Sequence, residues 1–181
     1  MDKLKYDLAY ALSDQDIRRL NPRTKLILYE DVKKYKTIDQ LLAPYDSVII
    51  LYEWQRTKDA SIGHYITVNR VNNGIVEHFD SYAIKPDKEL EQLKDAPQAF
   101  KRMTGQDNKY LLDLYLKSPH QISYNHYPLQ SLSDEISTCG RFCVIRSLYR
   151  QLPLEEFVKM FINKSGSPDV IAVQLTQPLL K

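Results

Sequence analysis

The sequence predicts an α+β fold. Strand-like segments occupy the middle of the chain, and helix-like segments precede and follow them without strict alternation. The clearest local pattern lies in the middle: two strand-like runs, 63–71 and 75–81, are joined by Asn72-Asn73-Gly74, which is typical of a β-hairpin. With 181 residues the chain is long enough to bury a full core, so we expect a single domain over residues 1–181.

Before the hairpin, capping residues and apolar runs define the expected elements. Ser13 with Asp16 three positions on resembles a capping box, and Thr37 is expected to cap a second helix. A β-branched apolar run indicates a buried strand, and the polar segment after it, which carries the single tryptophan Trp54, indicates a loop. The expected elements are helices over 14–20 and 38–42, strands over 25–29 and 47–52, and a loop over 53–62.

After the hairpin, helices predominate. Asp87 is expected to cap a helix that ends near Leu93, and Pro153 separates two later helices. Ser167-Pro168 has serine at the N-cap and proline at the first helical position of a last helix. The expected elements are helices over 88–93, 108–117, 139–150, 154–163 and 168–175, and a short strand over 121–125.

The two cysteines lie on one of these helices, but their positions differ. Cys139 stands at the expected helix start, where unpaired N–H groups and the helix dipole favour a thiolate. Gly140 permits close approach of a substrate, and the backbone N–H of Cys139 can donate to an oxyanion. Cys143 lies one turn further along the same face and is expected to pack in the core. Cys139 is therefore the candidate nucleophile.

The hairpin narrows the choice of a base for this thiol. If residues 72–74 form a three-residue loop, Val71 pairs with Ile75 and His64 lies opposite Tyr82. A two-residue loop would shift the register by one and reverse the faces of the second strand.

In the first register, Asp80 shares a face with His64, with β-carbons about 7 Å apart, and can orient the imidazole. His78 has the same parity as Asp80 and is the reserve base. Gln130, on the loop before the cysteine helix, is the candidate side-chain donor to an oxyanion. A metal site remains the alternative use of these residue types, because Cys139, Cys143, His64 and His78 can in principle form a Cys₂His₂ set, although no C-x-x-C pair is present.

Composition excludes some classes of function. The 25 basic and 23 acidic side chains give a net charge of +2, which permits weak contact with DNA but does not indicate a dedicated nucleic-acid surface. No apolar run approaches the ~18 residues that a membrane span needs, and the N-terminus lacks a signal-peptide core. We therefore expect a soluble intracellular protein that is not secreted and does not bind membranes. Thirteen tyrosines are compatible with an aromatic-lined peptide groove or with ordinary amphipathic packing.

Four elements in chain order resemble the adenovirus-type cysteine proteases, which are related to the proteases specific for SUMO and ubiquitin-like modifiers. They are Gly63-His64-Tyr65, His78-Phe79-Asp80-Ser81-Tyr82, Gln130, and Thr138-Cys139-Gly140-Arg141-Phe142-Cys143. The pattern is similar to the versions carried by virophages, Polinton-like elements and large DNA viruses. The resemblance implies a central mixed β-sheet flanked by helices, with the catalytic cysteine at the N-terminus of a buried helix.

The resemblance also implies roles for these residues: Cys139 as nucleophile, His64 as base, Asp80 as its orienting partner and Gln130 as oxyanion donor. The family glutamine usually stands six or seven residues before the cysteine. Gln130 stands nine before Cys139, so the loop must bulge or another donor must serve. The family's aromatic after the histidine is most often tryptophan, and Tyr65 stands here.

The implied activity is endoproteolysis of viral capsid or other structural precursors during virion maturation, in the virion and at the assembly site inside the host cell. No cofactor is expected, and we expect a monomer. An isopeptidase that removes a ubiquitin-like modifier would share the same site residues. A non-enzymatic binding module of the virion would retain the fold without the activity.

Overall fold

The computed structural model describes residues 2–72, 74–162 and 165–180, in which five strands form one mixed sheet in sequence order. The first and last strands run parallel to their neighbours, and the three central strands are antiparallel. Helices cover the sheet, so the predicted α+β class with a central mixed sheet is confirmed. The strands are β1 (Lys25–Leu28), β2 (Ser47–Arg56), β3 (Ser61–Asn72), β4 (Ile75–Phe79) and β5 (Gln121–Tyr124).

The helices include all of those predicted around residues 14–20, 38–42, 108–117, 139–150, 154–163 and 168–175; the end of the fifth, at Asn163, lies outside the described residues. No helix in the described part of the chain is both long and apolar enough to cross a membrane. The α-helices are α1 (Lys3–Ala9), α2 (Asp14–Leu20), α3 (Ile38–Leu42), α4 (Gln98–Met103), α5 (Tyr110–Leu116), α6 (Cys139–Leu148), α7 (Leu154–Ile162) and α8 (Pro168–Thr176). Three 3₁₀ helices span Tyr29–Lys34, Lys88–Leu93 and Gln177–Leu180.

Apolar side chains of the central strands alternate between two cores, one on each face of the sheet. On one face, Ile50, Ile66 and Val68 pack with α3, α5 and the 3₁₀ helix Tyr29–Lys34. On the other face, Ile49 and Leu51 pack with α2 and α6. Helix α6 lies against β3 and is buried along nearly its whole length, as a helix enclosed by a sheet and by other helices must be.

β3 and β4 pair in the predicted register over most of their length, but the residues next to the turn pair differently. Asn72, not Val71, pairs with Ile75, so the predicted Val71–Ile75 pair is wrong. The register then shifts at Val71, which acts as a bulge, and Arg70 pairs with Val76. The extra residue compensates for the shorter connection, whose Asn73 lies outside the described residues. From Arg70 onward, the faces are those that the prediction of a His64–Asp80 pair required.

The predicted loop over 53–62 is wrong at both ends and holds only for residues 57–60. β2 continues to Arg56 and β3 begins at Ser61, with Gln55 paired to Ile62 beyond a second bulge at Trp54. The polar side chains misled the prediction because this strand extension is stabilised by backbone pairing and charge pairs. Arg56 forms ion pairs with both Glu53 and Glu30.

The predicted capping role of Asp87 is also wrong. Asp87 precedes a 3₁₀ helix, Lys88–Leu93, and has a left-handed backbone with φ of 60° and no side-chain capping bond. Its buried carboxylate instead accepts hydrogen bonds from the hydroxyls of Tyr29 and Tyr52 and from the amide of Leu112. Asp87 therefore joins β2 to α5, which a local capping pattern cannot reveal.

A buried ion pair attaches α6 to the sheet. The guanidinium of Arg146 forms two hydrogen bonds to the carboxylate of Glu77 on β4, at 2.7 and 2.9 Å. Its third nitrogen, Nη1, carries two hydrogens and donates to the carbonyls of Tyr149 and Leu152, just beyond the end of the helix. Both charged side chains are almost fully buried, so each depends on the other for compensation.

Replacement of Glu77 by alanine is therefore expected to lower the free energy of unfolding by about 3–5 kcal/mol, because Arg146 would be left as an uncompensated buried charge. Urea denaturation of wild type and variant measures the difference. Glu156→Ala is the matched control, since Glu156 pairs with Lys159 on the surface of α7 and such pairs contribute about 0–1 kcal/mol. Equal midpoints for Glu77→Ala and the control would contradict this interpretation of α6 docking.

Candidate active site

His64 and Asp80 form a buried pair where β3 and β4 approach α6. The Nε2 atom of His64 lies 2.8 Å from Oδ2 of Asp80, and both side chains are almost completely buried. The other carboxylate oxygen accepts a hydrogen bond of 2.6 Å from the amide of Tyr82. The side-chain amide of Asn125 donates to the backbone carbonyl of Asp80. These contacts fix the carboxylate, which in turn fixes the orientation of the imidazole.

Two aromatic rings stack on the imidazole of His64. The ring of Tyr82 has its centroid 5.0 Å away, and that of Trp54 lies 6.2 Å away at an angle of only 8° between the planes. Trp54 is the bulged residue of β2, and its side chain is 42% exposed. Aromatic faces stabilise a cation, so this arrangement favours the imidazolium. Sequence reasoning missed both roles; the single tryptophan and its position before Gly63-His64 were the available signals.

Cys139 is the first residue of α6 and is 9% exposed. Thr138 occupies the N-cap position but makes no side-chain capping bond, so the N–H groups of the first turn are not taken by a cap. Since the Nε2 atom of His64 is held by Asp80, Nδ1 is the ring atom left to interact with the thiol. His64 and Cys139 line the same cleft, as the predicted pairing of residues 64 and 139 requires.

The electrostatics of this group favour an ion pair. Burial raises the pKa of the Cys139 thiol, but a hydrogen bond to His64, the charge of His64 and the amides of Tyr65 and Gly140 outweigh burial and lower that pKa below its ordinary value. Burial lowers the pKa of His64, but the charge and hydrogen bond of Asp80, together with Cys139, raise it well above its ordinary value. Burial raises the pKa of Asp80, whereas His64 lowers it, and the net direction is down. The arrangement therefore supports thiolate, imidazolium and carboxylate together.

Gln130 lies in the same cleft as Cys139 and is buried. The hydroxyl of Ser81 donates to the Oε1 atom of Gln130 at 2.8 Å, and the backbone amide of Gln130 donates to the carbonyl of Ser81 at 3.0 Å. Its Nε2 group carries two hydrogens, one of which is directed to the carbonyl of Ile136 at 3.4 Å. The carboxamide is thus held with its donor end available to the cleft, despite the long spacing to Cys139.

The cleft has a volume of about 160 Å³ and is lined by apolar, aromatic and small residues, with no Asp, Glu, Lys or Arg in its lining among the residues that the structure describes. Ala11 and Leu12 contribute one wall, and Trp54, Ile62 and Tyr82 contribute another. The segment between α1 and α2 is therefore part of the site, which no local motif indicated.

Gly63 permits β2 and β3 to approach beside His64. A β-carbon at this position would lie 1.8 Å from the backbone carbonyl oxygen of Tyr52, far inside van der Waals contact. Gly63→Ala is therefore expected to separate the strands, to destabilise the protein by about 1–3 kcal/mol and to displace His64, with loss of most of its activity. Thermal unfolding and peptide turnover measure the two effects. Gly166→Ala meets no neighbouring atom and introduces only the backbone strain of its φ of 117°, so it tests a glycine substitution without a clash. Retention of full activity by Gly63→Ala would contradict the steric argument.

The remaining histidines and Cys143 lie outside the cleft. Cys143 is completely buried, and its Sγ atom donates to the carbonyl of Tyr65 at 3.2 Å, which agrees with the expected packing role. His78, the reserve base, is buried with its Nδ1 atom 3.2 Å from the hydroxyl of Tyr115. His120 contacts Asp39 near the surface. Across the described ranges, no three His, Cys, Asp or Glu side chains form a group that could hold a metal ion.

Comparison with known proteins gives one clear relative. The chain is 35% identical over 181 residues to uncharacterized protein V9 of the Sputnik virophage, covering 97% of this chain and 99% of that protein. The chain belongs to the V9 family. No family model matches the sequence. A member of the V9 family thus carries the Cys139, His64 and Asp80 cluster in a sheet-and-helix fold.

Solved structures similar to this V9-family protein include proteases. The ASFV pS273R protease matches with a TM-score of 0.44 and 12% identity, over 93% of this chain and 67% of that chain. The central domain of Lpg1148 from Legionella pneumophila matches with a TM-score of 0.44 and 17% identity, over 93% and 97%. The protease domain of Ulp1, solved with Smt3, the yeast orthologue of SUMO, matches with a TM-score of 0.31 and 14% identity, over 98% and 76%.

Proposed function

We propose that this V9-family protein is a cysteine endopeptidase that processes capsid or other structural precursors of a virus. The observation that carries the proposal is the imidazole of His64, which is hydrogen-bonded to Asp80 and interacts with a thiol of lowered pKa at the start of α6. A nucleophile, a base and a group that orients the base are the three parts that acyl transfer through cysteine needs.

In this mechanism the thiolate of Cys139 attacks the carbonyl carbon of the scissile peptide bond. The carbonyl oxygen then carries negative charge, for which the Nε2 group of Gln130 and the backbone N–H of Cys139 are the proposed donors. As the tetrahedral intermediate collapses, the C–N bond breaks and the imidazolium of His64 protonates the leaving amine. The first product leaves, and an acyl-enzyme remains on the sulfur.

Deacylation uses the same groups in the reverse order. Neutral His64 removes a proton from water, the resulting hydroxide attacks the thioester, and the C–S bond breaks to release the carboxylic acid and regenerate the thiolate–imidazolium pair. Asp80 holds the ring through Nε2 in both steps, and the stacked rings of Trp54 and Tyr82 keep its plane fixed. All of these side chains belong to one chain, so we propose that a monomer suffices.

The virophage relative supports a viral substrate, and a cleft lining in which the described residues carry no charged side chain apart from Cys139 and His64 supports an uncharged segment of polypeptide. We place the activity at the site of virion assembly and in the virion. A net charge of +2 is compatible with weak DNA contact and supplies no strong support for it. Removal of a ubiquitin-like modifier would use the same groups and is the alternative that the experiment must separate.

The test uses the purified full chain and its Cys139→Ala variant. Each is incubated with the precursor structural proteins of a virophage particle and, separately, with ubiquitin and SUMO activity probes that trap a reactive cysteine. We expect discrete fragments of a precursor with wild type only, and no trapping by the probes. Trapping without precursor cleavage would favour a deconjugase. Neither cleavage nor trapping, together with a Cys139 thiol no more reactive than free cysteine, would favour a binding module.

A further inference from the structure

Asp169, on the first turn of α8, binds both ends of the segment that separates Gln130 from Cys139. We call residues 131–138 the cleft loop. Asp169 is completely buried. Its Oδ2 atom accepts hydrogen bonds from the amide of Ser131 at 3.0 Å and from the hydroxyl of Ser131 at 2.7 Å, and its Oδ1 atom accepts one from the hydroxyl of Thr138.

At the first end of the cleft loop, this contact completes the support of Gln130. Ser131 directly follows Gln130, whose side chain and backbone amide both form hydrogen bonds with Ser81. Anchoring of Ser131 by two hydrogen bonds therefore fixes the chain on both sides of the carboxamide. Hydrogen bonds to a carboxylate are stronger than those between neutral groups, so these contacts restrict this segment.

At the other end, the contact determines what Thr138 does. Threonine at an N-cap commonly accepts a hydrogen bond from an amide of the first helical turn. Here the Thr138 hydroxyl donates to Asp169, and no side-chain cap forms. Asp169 therefore holds the residue that directly precedes Cys139.

The middle of the cleft loop is not fixed in this way. Residues 131–135 are exposed, and the side chain of Leu132 is 89% exposed. Near the C-terminal end, the amide of Ser137 donates to the carbonyl of Leu8. The nine-residue spacing between Gln130 and Cys139 is thus accommodated by an outward bulge whose ends are joined through one carboxylate.

We propose that Asp169 is a positioning residue that sets the placement of the Gln130 carboxamide relative to the Cys139 thiol. It touches neither the substrate nor the reacting atoms, and it acts by holding Ser131 and Thr138. This inference rests on the proposed peptidase activity, because only acyl transfer requires the oxyanion donor.

Asp169→Asn tests the inference with two readouts. The asparagine keeps the size of the side chain but replaces one acceptor oxygen by a donor group, so Ser131 or Thr138 loses the carboxylate oxygen that accepts its hydrogen bond. Alkylation of Cys139 by iodoacetamide needs the thiolate but develops no oxyanion. Peptide hydrolysis needs the thiolate and also needs a donor that stabilises the oxyanion. We expect kcat to fall by about 10²-fold, with the alkylation rate within a few-fold of wild type. Asp134→Asn, an exposed change in the same loop, is the matched control and should leave both rates unchanged.

Thr138→Val and Thr138→Ser supply a second test that leaves Asp169 in place. Valine replaces the hydroxyl by a methyl group and should reproduce the selective fall in kcat. Serine keeps a hydroxyl and should therefore keep the kcat of wild type. Unchanged kcat in both Asp169→Asn and Thr138→Val would overturn the inference, as would a parallel loss of kcat and alkylation in folded protein. If Asp169→Asn does not fold, the valine and serine pair decides. A wild-type protein without peptidase activity would overturn the proposed function and this inference together, whereas an active wild type with unaffected variants would overturn this inference alone.

Discussion

Replacement of Cys139 by alanine is expected to reduce peptide hydrolysis by a factor on the order of 10⁴ or more while the fold is retained. The change removes the nucleophile, and the remaining groups supply only binding and oxyanion stabilisation. The sulfur lies at the cleft, at the end of a helix whose other contacts persist. Turnover of a cleavable precursor and the thermal unfolding temperature of the variant measure the two parts of this expectation.

Cys143→Ala is the matched control for the same chemical change. Cys143 lies one helical turn further on, is completely buried and donates to the carbonyl of Tyr65. Its loss is expected to cost about 1–3 kcal/mol of stability through a small cavity and a carbonyl without its partner, with turnover within a few-fold of wild type. Equal inactivation by both substitutions in folded protein would argue against Cys139 as the nucleophile.

Asp80→Asn is expected to lower kcat/KM at neutral pH by a factor of about 10³–10⁴. The carboxylate raises the pKa of His64 and holds the ring through Nε2, so an amide both weakens the imidazolium and permits the wrong tautomer. The measurement is turnover by wild type and variant under identical conditions. Asp59→Asn, an exposed aspartate in the turn between β2 and β3, should leave turnover unchanged. Activity of Asp80→Asn within ten-fold of wild type would contradict the orienting role.

The pH dependence of activity in the same variant is an independent test of the role of Asp80. Free thiol and imidazole have pKa values of about 8.5 and 6.5, so a free pair would not form thiolate and imidazolium together. In the protein the pKa of Cys139 is lowered and that of His64 is raised, and both shifts favour a thiolate–imidazolium pair. Activity is therefore expected to fall at low pH as the thiolate is protonated and at high pH as the imidazolium loses its proton. Asp80→Asn should shift the alkaline limb to lower pH, because the carboxylate that raises the pKa of His64 is lost.

The sequence predicted that His64, Asp80 and Cys139 lie together because each of them belongs to an element with a strong local pattern. The pairing of β3 and β4 shows how this succeeded despite an error in detail. The connection was shorter than expected, and the bulge at Val71 restored the register that brings Asp80 to the face of His64. A bulge inserts one extra residue into one strand, which an alternation pattern does not encode.

The contributions that sequence reasoning missed depend on long-range contacts. Trp54 was placed in a loop because its neighbours are polar, yet charge pairs of Arg56 keep β2 extended and the ring stacked on His64. Asp169 binds Ser131 across 38 positions of sequence, and Leu8 accepts from Ser137 across a larger separation. No periodicity or capping signal connects such residues, since only the folded sheet and helices bring them together.

The most direct test of the thiolate–imidazolium pair is the rate of iodoacetamide alkylation of wild-type protein as a function of pH, with the modified cysteine identified by mass spectrometry. At pH 6 a free thiol is only about 0.3% ionised. We expect Cys139 to react at pH 6 much faster than free cysteine, with little further rise up to neutral pH, while Cys143 stays unmodified. A Cys139 rate that follows the ionisation of a free thiol, or preferential modification of Cys143, would contradict the mechanism.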